Sequence, residues 1–119
     1  MAYDEELAHR VRELLAEEDG LSEMAMFGGL AFLLDGNLMV AVSSRGGLML
    51  RVGADEHEAA LARAHTDDVH MGGRPMRGWI RVAPDGIATR RQLSAWVRRG
   101  LRFTRSLPPK SSSRPRRSD

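Results

Sequence analysis

The chain opens on a helical period. Leu7, Val11, Leu14 and Leu15 recur at i, i+4, i+7 and i+8, while Glu13, Glu17 and Glu18 fall on the opposite side. Asp4 stands where its carboxylate can accept the first free N–H groups, Glu5 and Glu6 lie where the helix dipole favours negative charge, and Gly20 marks an end. The spacing predicts a helix over 4–18.

The apolar pattern then changes. Met24 to Leu34 is apolar except at Gly28-Gly29; the turn Asp35-Gly36-Asn37 and a second apolar run, Leu38 to Val42, follow. Two such runs around a Gly/Asn turn predict a β-hairpin. After Ser43-Ser44-Arg45-Gly46-Gly47, the segment Leu48-Met49-Leu50-Arg51-Val52 alternates as a third strand, with Leu48, Leu50 and Val52 on one face. The first strand is apolar on both sides and is expected inside the sheet.

Asp55 and Glu58 are spaced as a capping pair for a short helix through Ala59–Arg63. His65-Thr66-Asp67-Asp68 reads as a loop. Val69-His70-Met71 and Gly78-Trp79-Ile80-Arg81-Val82 read as two strands around the turn Gly72-Gly73-Arg74-Pro75. Thr89 caps a last helix in which Leu93, Trp96, Val97, Gly100 and Leu101 form an apolar stripe, and Pro108-Pro109 ends it. The expected order is α-β-β-β-α-β-β-α, an α+β two-layer sandwich whose antiparallel five-stranded sheet carries its helices on one face. An exposed edge strand in that sheet permits a homodimer. Residues 1–107 form the expected domain. Residues 108–119, low in complexity and basic, form an expected disordered tail.

Charge changes this picture more than length does. Residues 1–88 hold 8 basic and 15 acidic side chains, near −7, whereas residues 89–119 hold 10 basic ones against Asp119 alone, near +9. Arg91, Arg98, Arg102 and Arg105 recur on one face of the last helix, flanked by Arg90 and Arg99, and Lys110, Arg114, Arg116 and Arg117 follow in the tail. Such a ridge is the candidate contact for nucleic acid or an acidic partner, because cations near phosphates release counterions and bind in a salt-dependent, sequence-independent way. No recognition motif accompanies it, and the acidic body can attract the same helix.

Chemistry is sparse. With no cysteine there is no disulfide framework, thiolate metal site or cysteine nucleophile. The acidic N-terminus is unlike a secretory signal, and no apolar run is long enough for a membrane helix, so the expected location is cytoplasmic. His65, Asp67, Asp68 and His70 are the one cluster of metal-ligand types, and they read as a loop. Phe27-Gly28-Gly29 reads as a strand kink, since a phosphate-binding glycine loop leads into a helix. The methionines at 24, 26, 39, 49, 71 and 76 read as core filler. Trp96 falls in the helix stripe; Trp79 shares a face with Arg77 and Arg81 and is a candidate partner contact. No residue is assigned as catalytic, cofactor-binding or metal-ligating.

Met26-Phe27-Gly28-Gly29, with Gly36, the strand Leu48–Val52, the segment Gly73-Arg74-Pro75-Met76-Arg77-Gly78-Trp79 and the helix Leu93-Ser94-Ala95-Trp96-Val97 ending in Leu107-Pro108-Pro109-Lys110, resembles the N-terminal domain of the TfoX/Sxy family. The resemblance covers nearly the whole chain up to Lys110, and it marks Met26, Phe27, Gly28, Gly29, Gly36, Gly78, Trp79 and Trp96 as signature positions, read as structural. It implies a two-layer α+β fold and a non-enzymatic regulatory or adaptor role in transcription and competence, with a catabolite-activator-type transcription factor as protein partner. The expected form is a stand-alone N-terminal domain without a second, C-terminal one. Direct nucleic-acid binding through the arginine-rich helix and tail is the alternative, and a small-ligand sensor using Gly28-Gly29 is a third reading.

Overall fold

Asp4 caps as its position predicts: its carboxylate accepts the Leu7 N–H at 3.0 Å. The helix it starts, α1 (Glu5–Leu14), is shorter than the spacing predicts. Leu15 N–H is shared between the Val11 and Arg12 carbonyls, and Glu18 N–H turns back to Leu15. This tightened end buries Leu15 completely and sends the chain into the sheet. The computed structural model describes residues 3–26 and 28–109, with Met71 described for its backbone alone. After α1 come β1 (Leu21–Met26), β2 (Gly29–Leu34), β3 (Asn37–Val42), β4 (Leu48–Arg51), α2 (His57–Leu61), β5 (Thr66–Met71), β6 (Arg74–Val82) and α3 (Arg90–Arg105).

The sheet therefore has six strands, not five, and the order is α-β-β-β-β-α-β-β-α. The extra strand comes from Met24 to Leu34, which is not one strand but most of a hairpin. β1 ends at Met26, and β2 runs back from Gly29 with Met26 opposite Gly29 and Leu21 opposite Leu34. Gly28 makes the reversal: its φ of 79° lies in the left-handed region that a side chain disfavours. The next turn forms as predicted, with Asp35 and Gly36 at φ of 51° and 83°. Strand order is β1-β2-β3-β4-β6-β5, antiparallel throughout, so β1 and β5 are the edges.

One face of this sheet makes the core. Phe32, Val40, Val42, Leu48, Leu50, Ile80 and Val82 are fully buried beneath Leu7, Val11 and Leu15 from the first helical segment and Leu93, Trp96 and Val97 of α3. Each such side chain contributes about 2 kcal/mol. A bulge in β3, where the register with β2 shifts between Phe32 and Leu33, places Met39 among them. Thr89 closes α3 with a full capping box to Gln92. The Asp55/Glu58 pair does not cap: the chain enters α2 through a single 3-10 turn, Ala54–Glu56, with no side-chain cap bond. Thr66 and Asp67-Asp68, expected as loop, belong to β5, and the Thr66 hydroxyl donates to the Arg63 carbonyl at 2.8 Å. No helix among the described residues is long and apolar enough to cross a membrane.

Arg12 joins α1 to edge strand β1, donating from Nε and Nη2 to the two Glu23 carboxylate oxygens at 2.7 and 2.9 Å. Its hydrogen bond holds the Glu23 carboxyl below the usual carboxylate range. A depressed carboxyl pKa stabilises the fold above its unfolded value, and that contribution is lost as pH falls through the folded value. Both groups are partly exposed, so screening limits the gain to about 0.5 kcal/mol. Glu23→Gln is expected to melt slightly lower at neutral pH, and the difference between the two melting temperatures should shrink as pH falls through the lowered folded value of the carboxyl.

Candidate interaction surface

The second face of the sheet carries no helix. The paired positions Met24, Ala31, Ala41, Met49, Arg81 and Asp67 form one row across all six strands. Ala31 and Ala41 are small, so the middle of the row is low between Met24 and Met49. Met26 and Gly29 flank it on one side, Leu33, Leu38 and Trp79 on the other. The result is a groove of about 400 Å³, with Met26, Leu38, Met49 and Trp79 in its wall and Ser43, Arg45 and Arg81 at the β3–β4 turn. Met24 is 49% exposed. Thus the core-filler reading of the methionines holds for Met39 and fails for Met24, Met26, Met49 and Met76, which lie on the uncovered side or at the groove.

Met26, Gly29 and Trp79, signature positions distant in the chain, thereby meet at one groove. Gly29 has a packing reason of its own: a Cβ there would stand 2.3 Å from the Val42 carbonyl oxygen. Gly36 forms the β2–β3 turn, and Gly78 lies buried in the middle of β6. Trp79 is half-buried, with the Arg51 guanidinium 5.8 Å from its ring. Arg77 leaves this face and reaches the Ala54 carbonyl at 3.4 Å. Trp96 is buried on the other side of the molecule.

The arginines of α3 divide into two groups. Arg99 turns inward, its guanidinium 5.2 Å from the Trp96 ring and 4.0 Å from Glu56. Burial, and then the neighbouring Arg63 charge, lower its pKa against the pull of Glu56. Arg105 pairs with Glu18 at 2.5 Å. Arg90, Arg91, Arg98 and Arg102 remain exposed, with no carboxylate within ion-pair distance among the described residues. Phe27, Lys110, Arg114, Arg116 and Arg117, and with them the expected disordered tail beyond Pro109, lie outside the described residues.

The loop reading of His65, Asp67, Asp68 and His70 missed a buried partner. His57 on α2 is 5% exposed; its Nδ1 accepts the Gly78 N–H at 2.8 Å, and its Nε2 lies 2.9 Å from Asp68 Oδ1. Because an amide can only donate, Nδ1 carries the lone pair and Nε2 the proton. Both ring nitrogens are thereby occupied, so the imidazole has no lone pair to offer a substrate. It ties α2 to β5 and β6. Among the described residues no group of three or more His, Cys, Asp or Glu could hold a metal ion.

No curated protein and no solved structure matches the chain. The family model for the TfoX N-terminal domain matches residues 13–104, from the C-terminal end of α1 to the last turn of α3, and so takes in the whole sheet and the groove on its uncovered face. With more than half of its length matched, the chain belongs to the TfoX N-terminal domain family.

Proposed function

We propose that the chain is a non-enzymatic regulatory adaptor that acts through protein contacts, in transcription or competence-type regulation, as other uses of this family's domain suggest. The observation that carries the reading is the uncovered sheet face. Helices protect one side of the sheet, while the other presents Met24, Leu33, Leu38, Met49 and Trp79 together. Contiguous apolar surface of this kind marks interaction sites, and methionine adapts its shape to a partner. The partner suggested by the family is a DNA-binding transcription factor, met in the cytoplasm.

Affinity capture from native lysate tests this, with and without nuclease, comparing the wild type with Met24→Glu. Met24 is exposed enough that glutamate leaves folding intact, so the variant reports on contact alone. A specific protein partner is expected to survive nuclease and to be retained about tenfold less by the variant. Capture that vanishes with nuclease would refute the protein-adaptor reading, and retention unchanged by Met24→Glu would move the contact elsewhere.

Arg90, Arg91, Arg98 and Arg102 favour a second reading, direct and largely non-specific nucleic-acid binding. Arg90 and Arg91 occupy the first turn of α3, where the helix dipole opposes positive charge, and no acidic residue relieves them there. The combined charge reversal Arg91→Glu, Arg98→Glu, Arg102→Glu is expected to weaken DNA retention strongly at low salt and to flatten its salt dependence by about three counterions' worth of slope. Retention equal to wild type would rule this face out.

A further inference from the structure

The β3–β4 end of the groove is built of donors. Ser43 Oγ accepts two hydrogen bonds, from Arg81 Nη2 and from the Arg45 N–H, each at 3.1 Å. Both of its lone pairs are then in use, and its own O–H has no acceptor among the described residues. Arg81 is half-buried, and its remaining guanidinium N–H groups have no carboxylate within ion-pair distance among the described residues, although Asp67 is its cross-strand neighbour. Arg45 stands beside it on the turn, equally without a counter-ion. Asp68, the one carboxylate residue in the groove wall, is hydrogen-bonded to His57. A partly desolvated cation beside an unused O–H, at the end of an apolar trough, is electrostatically incomplete.

We propose that this groove binds a small organic anion, its carboxylate held by Arg81, Arg45 and the Ser43 hydroxyl and its apolar body lying over Met26, Met49 and Trp79. The charge complementarity selects the head group: Arg81 and Arg45, with no carboxylate within ion-pair distance among the described residues, favour an anion there over a cation. The volume of about 400 Å³ selects the size, since it falls among small-molecule sites, which are mostly apolar with a few convergent polar groups. Unbranched methionines on the wall accommodate a flexible chain better than a rigid, tightly matched one. The site shares Met49 and Trp79 with the surface of the adaptor reading but is independent of the arginines of α3, since it lies on the opposite face of the sheet from that helix.

The test is a titration of the full chain, labelled at its methionine methyl groups, with decanoate kept below its micelle concentration. Decyltrimethylammonium serves as the tail-matched cation. The Met26, Met49 and Met76 methyl resonances are expected to move while that of core Met39 stays still. The dissociation constant should be about 1 mM or tighter, as ligand efficiencies give for about a dozen non-hydrogen atoms. Arg81→Gln is expected to weaken decanoate at least about tenfold. Arg45→Ala alters only an exposed turn side chain, folds regardless, and should weaken it several-fold. The proposal is overturned if those three methyls do not respond, if the ammonium amphiphile binds as tightly, or if neither arginine variant changes the affinity. Resonance shifts confined to Met24 would place the contact on the exposed sheet surface and overturn it equally.

Discussion

Gly29→Ala is expected to lower the unfolding free energy by about 2–4 kcal/mol, combining overpacking with lost ladder hydrogen bonds. The added Cβ would stand 2.3 Å from the Val42 carbonyl oxygen and 3.4 Å from the Ser44 nitrogen, both backbone atoms that cannot rotate away. Relief requires β2 and β3 to part at the end where they frame the groove. The neighbouring glycine provides the control, since its requirement differs in kind. Gly28 has a φ of 79°, but a Cβ there meets nothing nearer than the Ser44 Cβ at 3.4 Å. Gly28→Ala should therefore cost only the left-handed penalty, about 1–2 kcal/mol, and Gly28→Asn less. For a domain of this size each kcal/mol moves the melting temperature by about 4–8 °C, so thermal denaturation separates the two readily. If Gly28→Ala proves the more damaging, the turn and not the close approach of the strands governs this hairpin.

The same two residues show where the chain was legible and where it was not. Both long helices could be read because each carries two agreeing signals: a capping side chain at the start, Asp4 or Thr89, and an apolar stripe at helical spacing. Met24–Leu34 offered only hydrophobicity, which does not distinguish a strand interior from a tight turn between two strands. The adjacent glycines look identical in sequence, although one reverses the chain and the other admits a neighbouring carbonyl. The start of β5 was hidden for the opposite reason. Thr66, Asp67 and Asp68 are polar because this is an edge strand, and charged edges with bulges resist pairing with other chains.

The groove was legible only in pieces. Trp79, with Arg81 on its face, and the glycine pair stood out individually, but Ser43 carries no local mark. Their meeting depends on register, with Ala41 opposite Met49 and Met49 opposite Arg81, and register is a property of pairing across the sheet. The methionines failed for a related reason. Alternation along a strand tells which residues share a face but not which face the helices cover. Here the helices sit on one side, so Met39, carried round by a bulge, is core, while Met24 and Met49 look outward or into the groove.

His57 is the residue that sequence reasoning passed over entirely, and its replacement should be among the most damaging in the chain. His57→Ala removes a ring that is 5% exposed and leaves the buried Gly78 N–H without its acceptor. An orphaned buried donor costs about 1–3 kcal/mol, and the vacated space adds to it, so a loss of about 3 kcal/mol is expected in urea denaturation. Asp68 stands in a different position. Its side chain is 35% exposed, and water can replace it at Nε2, so Asp68→Ala should cost about 1 kcal/mol. Asp68→Asn, whose carbonyl still accepts from the ring, should cost less again. The order His57→Ala, Asp68→Ala, Asp68→Asn follows from a ring that hangs α2 on β6 through its buried Nδ1 and touches β5 through Nε2, whose partner is part-exposed. Were the pair instead a proton-transfer dyad, Asp68→Asn would be the variant that abolished function while sparing stability. With Nδ1 held by a backbone amide, that separation is not expected: neither Asp68 variant should change partner capture, and His57→Ala should reduce it only in proportion to the unfolded fraction.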